Sequence, residues 1–440
     1  MRIQRFALFA IIFSAGLWFT ISPSTQAADM LIPVDPGGLT IGEALAQASR
    51  NRQELATLRL DLDAAVLKLK HAGLPPNPEL EVEWDNLGGD LPADDVRETT
   101  VSLSQTLEIG GKPAARKSKG LAEINQLQRE QDAVWLDIAA EIRMAFLEVL
   151  GARERLILQQ EAEQIASELA GIAHERVVAG ELAATEETRA AARKAEISAE
   201  TQRFKRLLAE AELDFATALG DPASAAMTPA VSLSHEVAIP DRQLLLAGVD
   251  NSPLLALRRS ETQSAATGLA LEQANAWSDP AFSLALRDIP GKDGRAVSVG
   301  LSIPLPFFYR NQAALAEASA AAQKATTNEA AAARRLHTEL IKVHTVLVAA
   351  DQEARTLRDE VLSRAAEAAE AVREGFRFGK FRYSDVLEAS QSLVTVKARH
   401  LDAILDLNRA AIMLDRLLGR PSLAEISRNS SSVSFDRSNP

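Results

Sequence analysis

The 440-residue chain contains no cysteine, which excludes disulfide bridges and a lipid attached to an N-terminal cysteine. It also lacks a second long hydrophobic run. After the N-terminal segment nothing is apolar enough over about 20 residues to span a membrane as a helix, so any membrane entry has to be made by strands. Positive charge is in deficit. The formal net charge is -12, and -14 once Arg2 and Arg5 leave with the N-terminal segment, which argues against nucleic acid as a partner. No HExxH, P-loop, nucleotide-binding GxGxxG or nucleophile elbow occurs. No enzyme activity, cofactor or metal site is therefore expected. His337 and His344 share a helix face with no third ligand near them in sequence, and are read as wall residues.

What is present begins with a leader. Arg2 and Arg5 precede an apolar run to Ile21, and Thr25-Gln26-Ala27 offers a small-x-small cleavage site. Residues 1–27 read as a secretory signal peptide, the alternative being a single membrane anchor. Export without cysteine fits a Gram-negative envelope. The mature chain is written twice. Gly180 in RVVAGELAATEE aligns with Gly379 in RFGKFRYSDV, and Gly220 in ATALG aligns with Gly419 in DRLLG, each pair 199 positions apart. Pro78 in AGLPPNPEL likewise aligns with Pro280 in ANAWSDPAFSL, and TVSLSQTL aligns with SVGLSIPL.

Each half predicts a helix (40–73 and 241–275), two short strands (78–87 with 99–109, and 280–287 with 296–307) and a very long helix (113–178 and 311–378). A glycine turn then leads to a final helix (185–219 and 384–418). At roughly 65 residues, a long helix would span about 100 Å; the helices flanking it are half that length and would match it if stacked end to end. The stripe Val134, Ile138, Ile142, Ala145, Val149, Ala152, Leu156 has coiled-coil spacing. Gly180 and Gly379 suit left-handed helix ends, with Thr185 and Ser384 as N-caps of the returning helices. The expected organisation is residues 28–220 and 241–420 as two repeats, a Pro/Ser-rich linker at 221–240 and a disordered Ser-rich tail at 421–440.

All four strands alternate. The first sets Leu80, Val82 and Trp84 against Glu79, Glu81, Glu83 and Asp85. A soluble amphipathic sheet shows the same period. The long apolar faces, the near-spanning lengths and aromatics at the strand ends (Trp84, Trp277, Phe308, Tyr309) favour a transmembrane barrel with a wet lumen. Four strands cannot close a barrel, so several chains must share one. Burying four carboxylates in a dry core is costly, whereas lining a water-filled lumen is not. Pro304 and Pro306 read as the junction from barrel to helix.

These features, with PNPELEVEWDNLGG and ETTVSLSQTLEIGGKPAARKSKG, resemble the TolC family of outer-membrane efflux ducts, in particular the branch that serves heavy-metal exporters of the cobalt–zinc–cadmium type. The resemblance implies a mainly α fold with a small transmembrane β part, a homotrimer whose twelve-stranded barrel continues into a twelve-helix tunnel, and outer-membrane lipid around the barrel. It implies a periplasmic adaptor and an inner-membrane pump of the resistance-nodulation-division class as partners. It places Val178, Ala179, Gly180, Glu181, Leu182, Phe378, Gly379, Lys380 and Phe381 at the adaptor-contacting tip, and Asp385 and Glu388 at a periplasmic gate. The competing reading is a soluble periplasmic coiled-coil structural or adaptor protein. Within ducts, drug efflux or type I secretion are the alternatives to metal export.

Overall fold

The computed structural model describes residues 32–33, 39–85, 98–221, 231–233, 237–289 and 294–420. The expected signal peptide, the last two residues of the first expected strand, most of the linker and the tail lie outside the described residues. The first repeat runs α1 (Ile41–Asn51), α2 (Gln53–His71), β2 (Glu79–Asp85), β3 (Glu98–Thr106), α3 (Lys112–Val178) and α4 (Ala184–Ala218). The second runs α5 (Arg242–Ala247), α6 (Pro253–Asn275), β5 (Ala281–Ile289), β6 (Gly294–Ser302), α7 (Gln312–Thr356), α8 (Ser363–Arg377) and α9 (Tyr383–Leu418). A further short pair, β1 (Ile32–Pro33) with β4 (Val231–Ser232), ties the linker to the N-terminal segment.

The long helices organise the wall. α3 packs along α2, α4, α6 and α9, and α7 packs along α6 and α9. Ile138, Ile142, Val149 and Ala152 of the expected stripe are buried, and Trp135, Leu136, Phe146, Leu147 and Leu150 are buried beside them, because α3 has neighbours on several sides. Five ion pairs zip α3 to α9: Asp137–Arg416, Arg143–Asp415, Glu148–Arg409, Arg155–Asp402 and Glu161–Lys397, at 2.5–2.9 Å.

The short helices do stack end to end, and the stacking breaks the two that were expected to be continuous. At residue 52 the chain is extended, and the Arg52 guanidinium donates to the Ala218 carbonyl at the end of α4 (3.0 Å) while gripping Glu141 of α3. In the second repeat the break falls at Gly248 to Ser252. The Ser252 hydroxyl donates to the Leu417 carbonyl of α9 (2.7 Å), and Pro253 starts α6, where its missing N–H costs nothing. α1 and α5 fold over these joints. The second long helix also departs from expectation. Residues Leu357–Leu362 form a π-helical turn between α7 and α8, with Leu357 buried in the core, while α3 runs unbroken.

The glycine turns have one cause. Gly180, Gly220, Gly379 and Gly419 all take φ between 72° and 82°, a region that costs other residues about 1 kcal/mol or more. At each, the following N–H reaches back to a carbonyl five residues earlier: Glu181 to Arg176, Asp221 to Ala216, Lys380 to Gly375, Arg420 to Asp415. These are Schellman closures, which satisfy the last carbonyls of a helix. The expected N-caps shift. α4 and α9 begin earlier, with Ala183 and Arg382 as their extended N-cap residues, so Thr185 and Ser384 fall inside the first turn. At α9 the capping group is the Asp385 carboxylate, which accepts the Arg382 N–H (3.0 Å).

Candidate channel lining and helical tip

β2, β3, β5 and β6 form one antiparallel sheet in that order. Glu79, Glu81, Glu83 and Asp85 stand opposite Ser104, Ser102, Thr100 and Glu98 of β3. Leu80 and Val82 stand opposite Leu103 and Val101, which face Leu284 and Leu286, which in turn face Val299 and Val297. One face is therefore polar across all four strands, and the other is apolar along their middle, with Gln105 at one end and Thr99, Asp288 and Arg295 at the other. The apolar face has no protein cover. Leu80 is 70% exposed, and Val297, Val299 and Leu301 are all above 60%. Each such side chain left in water forgoes about 1.5–3 kcal/mol of burial, a cost that lipid removes.

Along β2 the four acids recur at every second residue, about 7 Å apart. Two such charges repel by roughly 0.6 kcal/mol in water, and the gap is shorter than the ~8 Å screening length at physiological salt. The column is tolerable in a wet space and holds a continuous negative potential along it. Two further charges lie on the same face: Glu98, one residue before the expected start of its strand, and Arg287, 3.3 Å from it. Extending the β3 alternation back by one residue would have found Glu98. The ladder ends at Ser302, which leaves Pro304 and Pro306 in the junction where they were expected.

Below the sheet the two repeats meet their helices differently. In the first, Lys112 pairs with Asp279, which also accepts the Ile109 N–H (3.0 Å), and Arg116 pairs with Glu108 and donates to the Ala72 carbonyl (2.8 Å). In the second, Phe307, Phe308 and Tyr309 are strongly exposed. Both long helices start from a left-handed residue, Gly111 and Asn311.

At the far end, the nine expected tip residues gather at the two glycine turns. Val178 and Phe378 are both more than 70% exposed, Phe381 lies against Gly375, and Leu182 packs inward beside Leu169, Ala173, Phe376, Tyr383 and Val386. Arg176, which the sequence did not single out, joins the turns. Its guanidinium sits 5.1 Å above the Phe376 ring, donates to the Phe376 carbonyl (3.4 Å) and pairs with Glu181 (3.3 Å). Its only sequence signal is its place in the closing turn of α3. Asp385 and Glu388 lie on the first turns of α9. The Arg382 backbone N–H, more than the Ser384 hydroxyl and Arg382 side chain, holds the Asp385 carboxyl below the usual range. Glu388 is exposed and makes no ion pair among the described residues. His344 Nε2 lies 3.2 Å from the Pro240 carbonyl, and no group of three His, Asp or Glu among the described residues is placed to hold a metal ion. No described helix is long and apolar enough to cross a membrane.

A duplicated helical wall capped by a sheet that is apolar on one side and acidic on the other defines an outer-membrane duct. The family described as Outer membrane efflux protein matches residues 44–236 and 255–420, and the chain belongs to it. The Cobalt-zinc-cadmium resistance protein CzcC of Cupriavidus metallidurans is 31% identical over 419 residues, which is 91% of this chain and 96% of that one. Two solved structures share the fold. The outer membrane protein VceC from Vibrio cholerae has a TM-score of 0.73 at 17% identity, covering 86% of this chain and 96% of its own. CusC has a TM-score of 0.72 at 17% identity, covering 88% and 92%.

Proposed function

We propose that the protein is the exit duct of a tripartite efflux system and that its cargo is heavy-metal cations. The carrying observation is the acidic column of β2, set on the polar face of a sheet whose other face is apolar and uncovered. Such a sheet suits a barrel wall, and since one chain supplies four strands in the sheet, three copies making a twelve-stranded barrel fit the family reading. Glu79, Glu81, Glu83 and Asp85 then line a cation-friendly lumen. Cations are drawn in by a field that persists between neighbouring carboxylates, and no chelating geometry is required. The likeness to CzcC, named for cobalt, zinc and cadmium resistance, supports the same cargo class.

In this reading the sheet sits in the outer membrane and the helical wall extends into the periplasm. The exposed apolar tip around Val178, Phe378 and Phe381 takes a periplasmic adaptor, with Ala179, Gly180, Glu181, Leu182, Gly379 and Lys380 completing the contact. An inner-membrane pump of the resistance-nodulation-division class supplies the energy. Asp385 and Glu388 serve as the acidic constriction. In the gate Glu388 presents its charge, while Asp385 mainly fixes the start of α9. A deletion strain grown on zinc, cadmium, cobalt, nickel, copper and silver beside a drug panel tests the cargo. Loss of metal tolerance that the wild-type chain restores is expected; unchanged metal tolerance with raised drug sensitivity would overturn it.

A further inference from the structure

The junction between sheet and wall differs in charge between the two repeats. In a chain of net charge -12, the end of α2 and the start of α3 gather cations. Lys68 and Lys70 lie in the last turn of α2, and Lys112, Arg116, Lys117 and Lys119 fall at the start of α3, whose first turn holds no acid. Asp279 takes Lys112, Glu108 takes Arg116, and Glu123 lies 3.7 Å from Lys119. Lys68, Lys70 and Lys117 are exposed and make no ion pair among the described residues.

The shared fold does not require these charges. Cations at the end of α2 suit the helix dipole, but Lys117 and Lys119 lie near the N-terminus of α3, where a cation is unfavourable. The shift that carries Pro78 to Pro280 carries Lys68 to Ala270 and Lys70 to Glu272, and the first Lys or Arg of α7 is Lys324. The second repeat builds the same junction without them.

Their position says what they meet. Leu107 and Ile109 continue the apolar face of β3 to its base and remain exposed. Gln105, on that same face, donates to the Pro76 carbonyl (2.9 Å), which sets the connection from α2 to β2 against the apolar side of the sheet. Lys117 lies across that connection, so close to Gly73 that a Cβ there would overlap its side chain. Arg116 fixes the same segment by donating to the Ala72 and Leu74 carbonyls (2.8 and 3.2 Å). Lys117 stands about 8 Å along the axis of α3 from its first residue. That is close to the depth of the headgroup layer beside a hydrocarbon core, about 5–8 Å. A lysine stem can lie on apolar surface while its ammonium stays among the headgroups.

We propose that this notch binds an anionic phospholipid of the inner leaflet, with its headgroup at Lys68, Lys70 and Lys117 and its acyl chains on Leu107 and Ile109. This rests on the reading that the sheet sits in lipid, and adds which lipid the junction selects. A phosphate supplies the acceptor oxygens that no described acid offers these ammonium groups. A headgroup of net negative charge is preferred to a zwitterionic one, whose own cation opposes the site.

Trp277 reports on the junction. It packs on Gly110 at the base of the sheet and is exposed, whereas Trp135 is buried and Trp84 lies at the far end of β2. Trp18 falls in the expected signal peptide. Protein carrying Trp84→Phe is purified from outer membranes and reconstituted into phosphatidylcholine bilayers. These contain brominated phosphatidylglycerol or brominated phosphatidylcholine, and quenching of Trp277 gives the relative association of the two. Phosphatidylglycerol should associate on the order of three- to tenfold more strongly at low salt. The ratio should fall toward unity in about 1 M sodium chloride. It should also fall in the triple variant Lys68→Gln, Lys70→Gln, Lys117→Gln, and persist in Lys324→Gln. Equal quenching by both lipids before substitution, or a preference that survives the triple substitution, would overturn the site while leaving the sheet in lipid. Absence of quenching by either lipid would overturn the membrane seat and the site together.

Discussion

Where the first repeat places Glu79, Glu81, Glu83 and Asp85, the second places Ala281, Ser283, Ala285 and Arg287 at the equivalent positions of the same sheet face. The backbone makes no such distinction, since the two hairpins share a register and the glycine closures of both repeats share their hydrogen bonds. The acids are therefore not required by the strand. Geometry is held in common between the halves, while the acidic chemistry is carried by one of them. The helices divide in the same way: α3 is continuous and zipped to α9 by ion pairs, whereas its counterpart is interrupted by a π turn and presents exposed valines.

The most severe loss is expected at the joint between the repeats. Arg143 and Asp415 are both nearly buried and lie 2.9 Å apart. Burial raises the Asp415 carboxyl above its usual range, and Arg143 pulls it back. Arg143→Met leaves that carboxylate unpaired and should cost about 3–5 kcal/mol at neutral pH. An acid whose folded pKa is raised costs stability as pH rises through it, so the variant's deficit should shrink as pH falls into the acid range. Thermal melts in detergent at a series of pH values measure this. A deficit that does not change with pH would assign the loss to packing.

The four glycine closures share a φ but not their surroundings. A Cβ on Gly419 would fall 2.4 Å from Pro253 Cγ, whereas on Gly220 its nearest neighbour is at 3.3 Å. Gly419→Ala should cost about 2–4 kcal/mol, backbone strain plus overpacking, against about 1 kcal/mol for Gly220→Ala. Equal shifts in melting temperature would show that the second joint relaxes freely.

The smallest effect is expected at Asp385. Its depressed pKa means that its contribution to the start of α9 is present above the unfolded pKa and lost as pH falls through the folded one. Asp385→Asn should quicken hydrogen exchange in the first turn of α9 near neutral pH, and the difference from wild type should vanish in strong acid. The corresponding turn of α4, where Ala183 offers no side-chain cap, should be unaffected.

Much of this layout is legible in the residues because it depends on local rules. Glycines end helices where only glycine tolerates positive φ, and strict alternation in PELEVEWD announces a two-faced strand. What escaped has longer-range causes. The break at Arg52 comes from a carbonyl 166 positions away, and the role of Arg176 from a ring on the other repeat. The π turn at Leu357–Leu362 has no Pro or Gly to announce it. Thr185 and Ser384 look like caps by residue type, but the chain enters each helix earlier and Asp385 supplies the acceptor at α9. Glu98 and Arg287 gain their meaning only when β3 and β5 are set side by side.

The acids private to the first repeat are proposed to make the lumen cation-selective. Single-channel recording in a planar bilayer with a potassium chloride gradient tests it most directly. The wild-type reversal potential should lie on the cation-selective side. The variant Glu79→Gln, Glu81→Gln, Glu83→Gln, Asp85→Asn should move it most of the way to zero while the conductance persists. A reversal potential that does not move would show that these four acids do not set the selectivity.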